Sequence, residues 1–396
     1  MLLIKNGLAF IGGHFVKKDI LISDEGLIAA IGSNLKGTET IDAADKLVLP
    51  GLIDPHVHLR EPGDSYKEDF VTGSRAAIAG GFTTVMDMPN NKIPTITKEK
   101  LDEKIQLAKQ KAVCDILFHF GGTDDNFDEV KKANPASLKL YLGETTGMLV
   151  LKNQNSLERH FTNFPIERPI VLHASDHSTD EKINLEKTYA IEENAIELAR
   201  KTKRKIHLAH VATKKEVQIA KRYNGCTLEV APHYLFLSTD AITRLGPLGK
   251  VYPPLKTEQK RIHLWSALEH VDCIATDHAP HTIEDKENGS AGFPGLETSL
   301  SLMLKGCDLG LIDKLWLVPR MSENVAKIFN LKGKGKIKIG YVGDITIVDL
   351  KKVWKVQGSD LETKCKWSPF DGMELKGKAH TVIKSGKIVY QDYRFV

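Results

Sequence analysis

Two histidines one residue apart, His56 and His58, follow an apolar run that contains Leu52 and Ile53. Alternate side chains of a β-strand point to the same face, so both imidazoles would lie on one side of a strand here. Imidazole is the commonest metal ligand among protein side chains. A solvent-facing strand edge would also account for an isolated pair, so the pair alone does not decide between chemistry and structure.

Further ligand-type and polar side chains stand late in other apolar runs. Lys139 is embedded in SLKLYL, where burial of an unpaired ammonium would be costly. The other residues are Asn90, His173, His210, Asp277 and His281. Histidines, a carboxylate and a lysine together suit a divalent metal ion, most simply Zn²⁺. Four protein ligands fit one ion, whereas a bridging group would let the same set hold two.

A lysine becomes such a bridge when its neutral amine takes up CO2 and forms a carbamate with two oxygens. Burial favours the neutral amine. The alternative for Lys139 is an ammonium that reaches past the end of its strand into solvent. The residues alone leave both interpretations open.

The elements that would position these residues alternate along the middle of the chain. Eight buried strands with helical crossovers predict an α/β fold, a TIM-like (β/α)8 barrel with its active site at the C-terminal ends of the strands. A doubly wound open sheet is the alternative, but neither a G-x-G-x-x-G after an early strand nor a phosphate-binding G-x-x-x-x-G-K-[ST] is present. The strand candidates are 48–59, 82–89, 115–121, 137–142, 169–174, 205–211, 227–234 and 273–280, and the helical stretches include 68–79, 98–112, 184–202, 214–224, 258–270 and 297–308.

Both ends of the chain are rich in short strand-like runs. Residues 1–50 hold such runs separated by glycines, and residues 336–396 have the same texture, with a predicted hairpin turn at 384–387. Because two-stranded fragments are marginally stable alone, we expect the two segments to pair into one small β-sandwich domain beside a barrel of residues 51–335.

The composition predicts a soluble, cytoplasmic protein. A net charge of +4 from 55 basic and 51 acidic residues favours neither nucleic-acid nor membrane binding. The five cysteines form no C-x-x-C, which favours reduced thiols. The N-terminal residues lack the regions of a secretory signal, and no apolar run approaches the roughly 18 residues of a membrane span.

Nine motifs between residues 51 and 298 resemble those of the dihydroorotase family, within the amidohydrolase superfamily of cyclic amide hydrolases. The resemblance is to the branch in which a carboxylated lysine bridges two zinc ions, and SENVAKIF and VGDITIVDL continue it to near residue 350. The motifs are DPHVHLREPG, KEDF, AGGFTTVMDMPN, LKLYLGET, LHASDH, LAHVAT, EVAPHYLFL, ATDHAPH and GFPGLET.

This resemblance implies roles residue by residue. His56, His58 and Asp277 would hold the more buried of two Zn²⁺ ions per subunit. His173 and His210 would hold the second ion. Carboxylated Lys139 would bridge the two ions, and Asp277 would also be catalytic, as the group that moves a proton from the nucleophile to the leaving ring nitrogen.

The resemblance also implies substrate contacts. Arg60, Asn90 and His281 would hold the carboxylate of the substrate. The backbone of Pro294 and Gly295 would contact its ring, and Thr145 and Thr146 lie in a loop, GETTG, that would close over it. Two positions depart from the family pattern: Tyr252, where many relatives have Asn or Arg, and Thr146, where some have an aromatic residue.

The implied reaction is the reversible, metal-dependent hydrolysis of L-dihydroorotate to N-carbamoyl-L-aspartate, in de novo pyrimidine (UMP) biosynthesis. The alternatives are another cyclic amidohydrolase, a hydantoinase or allantoinase, and a non-catalytic scaffold for aspartate transcarbamoylase. The first alternative needs no carboxylate clamp, and scaffold relatives typically lack the metal ligands, all of which are present here. A homodimer is the default assembly, and association with aspartate transcarbamoylase is compatible with activity.

Overall fold

The computed structural model describes residues 1–143, 149–178 and 180–396. In this part of the chain, short strands precede and follow a central barrel. The strands before the barrel are β1 (Leu2–Lys5), β2 (Leu8–Ile11), β3 (His14–Lys17), β4 (Asp19–Ile22), β5 (Ile28–Gly32), β6 (Glu39–Asp42) and β7 (Leu47–Pro50). The barrel strands are β8 (Leu52–Val57), β9 (Phe82–Asp87), β10 (Asp115–Phe118), β11 (Phe120–Gly121), β12 (Leu138–Tyr141), β13 (Ile170–His173), β14 (Ile206–Leu208), β15 (Cys226–Val230) and β16 (Cys273–Ile274). The strands after the barrel are β17 (Ile345–Lys355), β18 (Glu374–Lys384), β19 (Lys387–Gln391) and β20 (Arg394–Phe395).

The first and last strands of the chain form two sheets that share one core. One sheet has the order β5-β4-β1-β6, and the other has the order β20-β19-β18-β17-β7-β2-β3. Residues Ile345 to Val348 of β17 pair antiparallel with β7. Ile4 and Ile22 of the first sheet pack in the same buried cluster as Ile347 and Ile383 of the second. The two ends of the chain therefore form one β-sandwich, and we propose domain boundaries near residues 50 and 335.

The turn between β18 and β19 has the conformation that the sequence predicts. Ser385 and Gly386 have φ angles of +48° and +79°. A two-residue hairpin turn with both central residues in the left-handed region matches the twist of the flanking strands.

Parallel pairing of the central strands forms the predicted barrel. Strands β8, β9 and β10 pair side by side, as do β11 to β16 in chain order. A parallel bridge between Val57 and His278 joins the first strand to the segment after the last, and the His58 N–H donates to the His278 carbonyl at 2.7 Å.

Several predicted strands differ from the structure in their extent: 205–211 ends at Leu208, and 227–234 ends at Val230, where a helix at Pro232–Phe236 follows. The stretch 48–59 divides between β7 in the sandwich and β8 in the barrel. The stretch 115–121 is interrupted at His119, whose imidazole donates to the Pro55 carbonyl and accepts from the Ser137 hydroxyl, at 2.9 and 2.7 Å. The last strand ends at Ile274, and the chain continues as a loop with one bridge at His278.

Helices connect the strands and cover the outside of the barrel. The first, α1, is Phe70–Ala79, where Asp69 and Thr72 form a reciprocal capping box. The others in the described residues are α2 (Lys98–Lys111), α3 (Phe127–Ala133), α4 (Gln154–Asn163), α5 (Glu181–Lys201), α6 (Lys214–Ala220), α7 (Pro232–Phe236), α8 (Asp240–Leu245), α9 (Glu258–Trp265), α10 (Ile283–Glu287), α11 (Leu296–Asp308), α12 (Lys314–Arg320) and α13 (Glu323–Ile328), with 3₁₀ turns at Gly246–Gly249, Leu268–His270 and Gly358–Asp360. Among these described helices, none combines the length and apolar character needed to cross a membrane.

The shared core of the sandwich predicts that Ile347→Ala lowers the free energy of unfolding by about 2–5 kcal/mol, because a fully buried side chain leaves a cavity. Urea unfolding monitored by circular dichroism measures the change. Val353→Ala is the matched control, since Val353 lies in the same strand but is 51% exposed. Its expected change is within about 0.5 kcal/mol, and equal losses in both variants would contradict the assignment of this core.

Candidate active site

The ends of the barrel strands enclose a pocket that most of the sequence-predicted site residues line. The pocket lies where active sites of this fold are found, at the C-terminal ends of the strands. Its lining in the described part of the chain is His56, His58, Arg60, Asn90, Lys139, Tyr141, His173, His177, His210, Tyr252, Asp277, Ala279, Ala291 and Gly292.

Three of these residues direct ligand atoms at one point. The Nε2 atoms of His56 and His58 lie 3.3 and 3.1 Å from Oδ1 of Asp277. A carboxylate oxygen of Glu229 lies at Nδ1 of His56, and Oδ1 of Asn90 lies 2.9 Å from Nδ1 of His58. Oxygen acceptors therefore take the Nδ1 protons, so each Nε2 presents a lone pair to the Asp277 carboxylate.

These converging lone pairs fit a cation. Burial lowers the pKa of His58 to about 4, so this imidazole is neutral at physiological pH. Burial alone would raise the pKa of Asp277, but the neighbouring His56 and His58 side chains outweigh it and lower that pKa to about 2. An ionised carboxylate and two imidazole nitrogens within 4.8 Å of one another are a ligand set suited to a divalent metal ion.

Glu229 fixes the orientation of the first of these histidines. Its carboxylate accepts from His56 Nδ1, from His207 Nε2 at 3.0 Å and from the His210 N–H at 3.2 Å. Carboxylates that accept from the second ring nitrogen of a ligand histidine hold the tautomer and raise ligand basicity. Glu229 thus connects residues from three strands beneath the pocket.

A second group of nitrogen atoms lies beside the first. His173 Nδ1 and His210 Nε2 are 2.8 Å apart, and the rings of His56 and His210 have centroids 5.3 Å apart. Lys139 is fully buried, and no described residue offers its Nζ an acceptor. Burial lowers the pKa of Lys139 to about 8. A partly neutral amine at this position is a nucleophile for CO2, so the residue fits a bridging carbamate better than a solvent-directed ammonium.

Three residues of the site have a left-handed backbone. Arg60, His210 and Asp277 have φ angles of +64°, +41° and +48°. Non-glycine residues in this region cost about 1–3 kcal/mol each and persist only where the surroundings fix them. Around Asp277, the His278 N–H donates to the Thr276 hydroxyl at 3.0 Å and the Thr276 N–H to Asp54.

Arg60 is held at the rim of the pocket by contacts with the segment 280–281. Its Nε donates to the Pro280 carbonyl at 3.0 Å, and its NH2 lies 2.9 Å from His281 Nε2, a nitrogen that is also 3.0 Å from the Ala291 carbonyl. Burial, and after it the like charge of Arg60, lower the pKa of His281 to about 2. Arg60 and Asn90 line the pocket, whereas His281 lies behind Arg60 and supports it.

Pro294 and Gly295, which the sequence predicts to contact the ring of the substrate, lie outside the pocket lining. The Gly295 N–H donates to His278 Nδ1 at 3.1 Å, and neither Pro294 nor Gly295 lines the pocket, where Ala279, Ala291 and Gly292 lie instead. Thr145 and Thr146 lie outside the described residues.

Several residues in and below the pocket had no role assigned from the sequence, where Tyr252 stands out only as a departure from the family pattern. His177 and Tyr252 stack at 3.8 Å with an interplanar angle of 8° and form one wall. His207, Glu229 and Cys273 bring ligand-type atoms within 4.8 Å of one another deeper in the barrel. The alternation of side chains within β14 and β15 is the signal that places His207 beside Glu229.

Comparisons with known proteins agree with this geometry. The model of the amidohydrolase family matches residues 47–389. The chain is 36% identical over 396 residues to a dihydroorotase of Thermococcus kodakarensis, covering 98% of this chain and 94% of that protein. The chain belongs to the dihydroorotases of the amidohydrolase family.

Two further similarities place this dihydroorotase-family chain among larger and related proteins. It is 38% identical over 361 residues to multifunctional protein CAD of Squalus acanthias, covering 88% of this chain and 15% of that protein. The structure of L-hydantoinase (dihydropyrimidinase) from Arthrobacter aurescens matches with a TM-score of 0.94 at 28% identity, covering 100% of this chain and 97% of that one. The barrel prediction is thereby confirmed.

The contacts of Glu229 predict that Glu229→Gln weakens binding of a divalent metal by about 10–100-fold, because His56 and His207 donate to different carboxylate oxygens and the amide has only one oxygen. Competition with a chromophoric chelator measures the affinity. Glu192→Gln is the matched control, because Glu192 is also a buried glutamate but lies in α5, outside the pocket lining. Unchanged affinity in Glu229→Gln would contradict the role of this carboxylate.

Proposed function

We propose that this chain, a cyclic amidohydrolase, hydrolyses L-dihydroorotate reversibly to N-carbamoyl-L-aspartate, a step of de novo pyrimidine biosynthesis. The observation that carries the proposal is the presence in one pocket of a guanidinium for the substrate's carboxylate and a cluster of metal-ligand atoms for its amide. The names of the relatives, which are dihydroorotases at 36 to 37% identity, support the same reaction.

We further propose that the pocket holds two Zn²⁺ ions. His56, His58 and Asp277 would hold the first ion, and His173 and His210 the second. Lys139, carboxylated at its buried Nζ, would bridge them. When bound, such ions bring the pKa of a coordinated water from 15.7 to about 7 and polarise a carbonyl oxygen.

The substrate's carboxylate would lie against Arg60. The guanidinium has donors beyond those that Pro280 and His281 occupy, and a charge-assisted, bidentate pair is both strong and directional. The Asn90 side chain, fixed by His58, lines the same part of the pocket. This contact would place the ring amide over the metal ligands, so orientation is set by atoms remote from the reacting bond.

Asp277 is suited to move the proton. A pKa of about 2 keeps the carboxylate ionised at neutral pH, so it can accept a proton from the attacking water. The same carboxylate then gives the proton to the ring nitrogen as the C–N bond breaks, which makes the carbamoyl group neutral. In the condensation direction the steps run in reverse, with Asp277 taking the proton from that nitrogen.

Two observations bear on the alternatives. The likeness to L-hydantoinase (dihydropyrimidinase) is the observation that favours a related cyclic amide as substrate, but the buried and supported Arg60 favours a substrate with a carboxylate. The scaffold alternative is not favoured, because the six proposed metal-ligand residues line one pocket.

A homodimer, a cytoplasmic location and association with aspartate transcarbamoylase remain predictions. The match to a stretch of multifunctional protein CAD is compatible with such an association.

A substrate panel tests the proposed function. The zinc-loaded chain is expected to hydrolyse L-dihydroorotate at least about 100-fold more efficiently than dihydrouracil, hydantoin or allantoin, since a charged group bound in a fixed geometry contributes about 3 kcal/mol. Arg60→Met should remove most of that preference by raising KM for L-dihydroorotate. Preferential turnover of hydantoin or allantoin by the wild type would overturn the proposal.

Metal analysis tests the bridge. We expect about two zinc ions per wild-type chain, and loss of both zinc and activity in Lys139→Ala, because the bridging oxygens disappear. Lys256→Ala is the control, since Lys256 is also buried but donates to Asn184 instead of lining the pocket. One zinc in both wild type and Lys139→Ala, with the variant active, would mean a single-metal site and a structural Lys139.

A further inference from the structure

A buried ion pair lies directly beneath the proposed carboxylate-binding residues. Asp87 ends β9 and Lys104 lies in α2; both side chains are fully buried, with Lys104 Nζ 2.6 Å from Asp87 Oδ2. Neither residue lines the pocket. Breaking such a pair costs about 3–5 kcal/mol, yet well-packed apolar residues would often be as stable. Stability alone therefore does not account for its presence.

The ammonium of Lys104 holds the segment that carries Asn90. Besides its ion pair with Asp87, it donates to the Met88 carbonyl at 3.1 Å and to the Asn91 side chain at 2.5 Å. One charge thus contacts the chain on both sides of Asn90. Asn90 Oδ1 in turn contacts His58 Nδ1 at 2.9 Å.

The same network holds both neighbours of Arg60. The Leu59 N–H donates to Asp87 Oδ1 at 2.6 Å, and the Asn91 amide donates to the Glu61 carbonyl at 3.0 Å. Arg60 lies between these two anchored residues with a φ of +64°. A strained conformation persists only where its surroundings impose it, and here the restraints on both sides originate at Lys104 and Asp87.

We propose that Lys104 and Asp87 are a positioning pair for substrate binding: they fix Arg60 and Asn90 in the geometry that binds a carboxylate. The proposal rests on the proposed function of the pocket. The pair does not touch the substrate, and it acts through the main chain at residues 59–61 and the segment 87–91. Its loss should therefore weaken recognition of the carboxylate more than it slows the chemical step.

The test measures Lys104→Met, a change that keeps an unbranched side chain one atom shorter and removes the charge. We expect KM for L-dihydroorotate to rise about tenfold or more while kcat changes by less than about threefold, because displacement of a binding group by a fraction of an ångström is costly. Arg204→Met is the matched control. Arg204 is a buried cation that lies just before β14, at the opposite end of the barrel. It donates to three main-chain carbonyls, including that of Phe161. The Arg204→Met variant should have a lower urea midpoint and a KM within about twofold of the wild-type value.

A second variant separates the positioning role from the loss of stability that a buried, unpaired Asp87 carboxylate causes. Lys104→Met with Asp87→Asn removes both charges and keeps an acceptor for the Leu59 N–H, so it should regain stability while KM stays raised. KM values equal to that of the wild type in both variants, with only the urea midpoint lowered, would overturn the proposal and make the pair structural.

A crystal structure of Lys104→Met decides independently of turnover. The proposal requires Arg60 to leave its left-handed conformation or to lose its contact with His281. Unchanged segments at 58–61 and 87–91 would overturn it. A displaced Arg60 in the variant, beside a wild type that does not act on L-dihydroorotate, would support the positioning role and overturn the proposed reaction alone.

Discussion

Val57 and His278 form one parallel bridge between the first barrel strand and the loop after the last, reinforced by the hydrogen bond from the His58 N–H to the His278 carbonyl. This closure brings His58 to Asp277, 219 residues further along the chain. Because a closed barrel leaves no free edge, the two ligand-bearing segments meet in a fixed register. The rest of the pocket is arranged around this junction, since each intervening strand ends at the same mouth.

The site is rich in buried polar groups that the protein alone only partly satisfies. Glu229 and Asn90 accept from the Nδ1 atoms of His56 and His58. The Nε2 atoms of both histidines therefore face the ionised Asp277 carboxylate. Within the described residues, the amine of Lys139 has no acceptor. Such an arrangement is unfavourable for a site filled only with water and favourable for one filled with cations. The strained backbone of three site residues is a second cost that their neighbours offset.

The sequence predicted the barrel, the sandwich and most pocket residues because strand alternation and local motifs are short-range signals. It placed 115–121 in one strand, whereas the His119 imidazole interrupts that strand through bonds to β8 and to the residue before β12. A count of alternate positions from His210 puts His207 on the opposite face of its strand, so this count gives no reason to place it near Glu229. The count fails because β14 ends at Leu208 and His210 has a left-handed backbone. The stack of His177 on Tyr252 and the hydrogen bond from the Gly295 N–H to His278 join residues that are distant in sequence. No local sequence pattern contains such contacts.

The pairing of β7 with β17 has a consequence for synthesis on the ribosome. Residues 47–50 receive their partner strand only when residues 345–348 have emerged, after the whole barrel has been translated. Contacts of such high sequence separation form slowly. The edge of β7 therefore stays unpaired while the barrel forms. A nascent chain of this kind is exposed to aggregation through that edge, and its final folding step is the docking of its last strands onto its first.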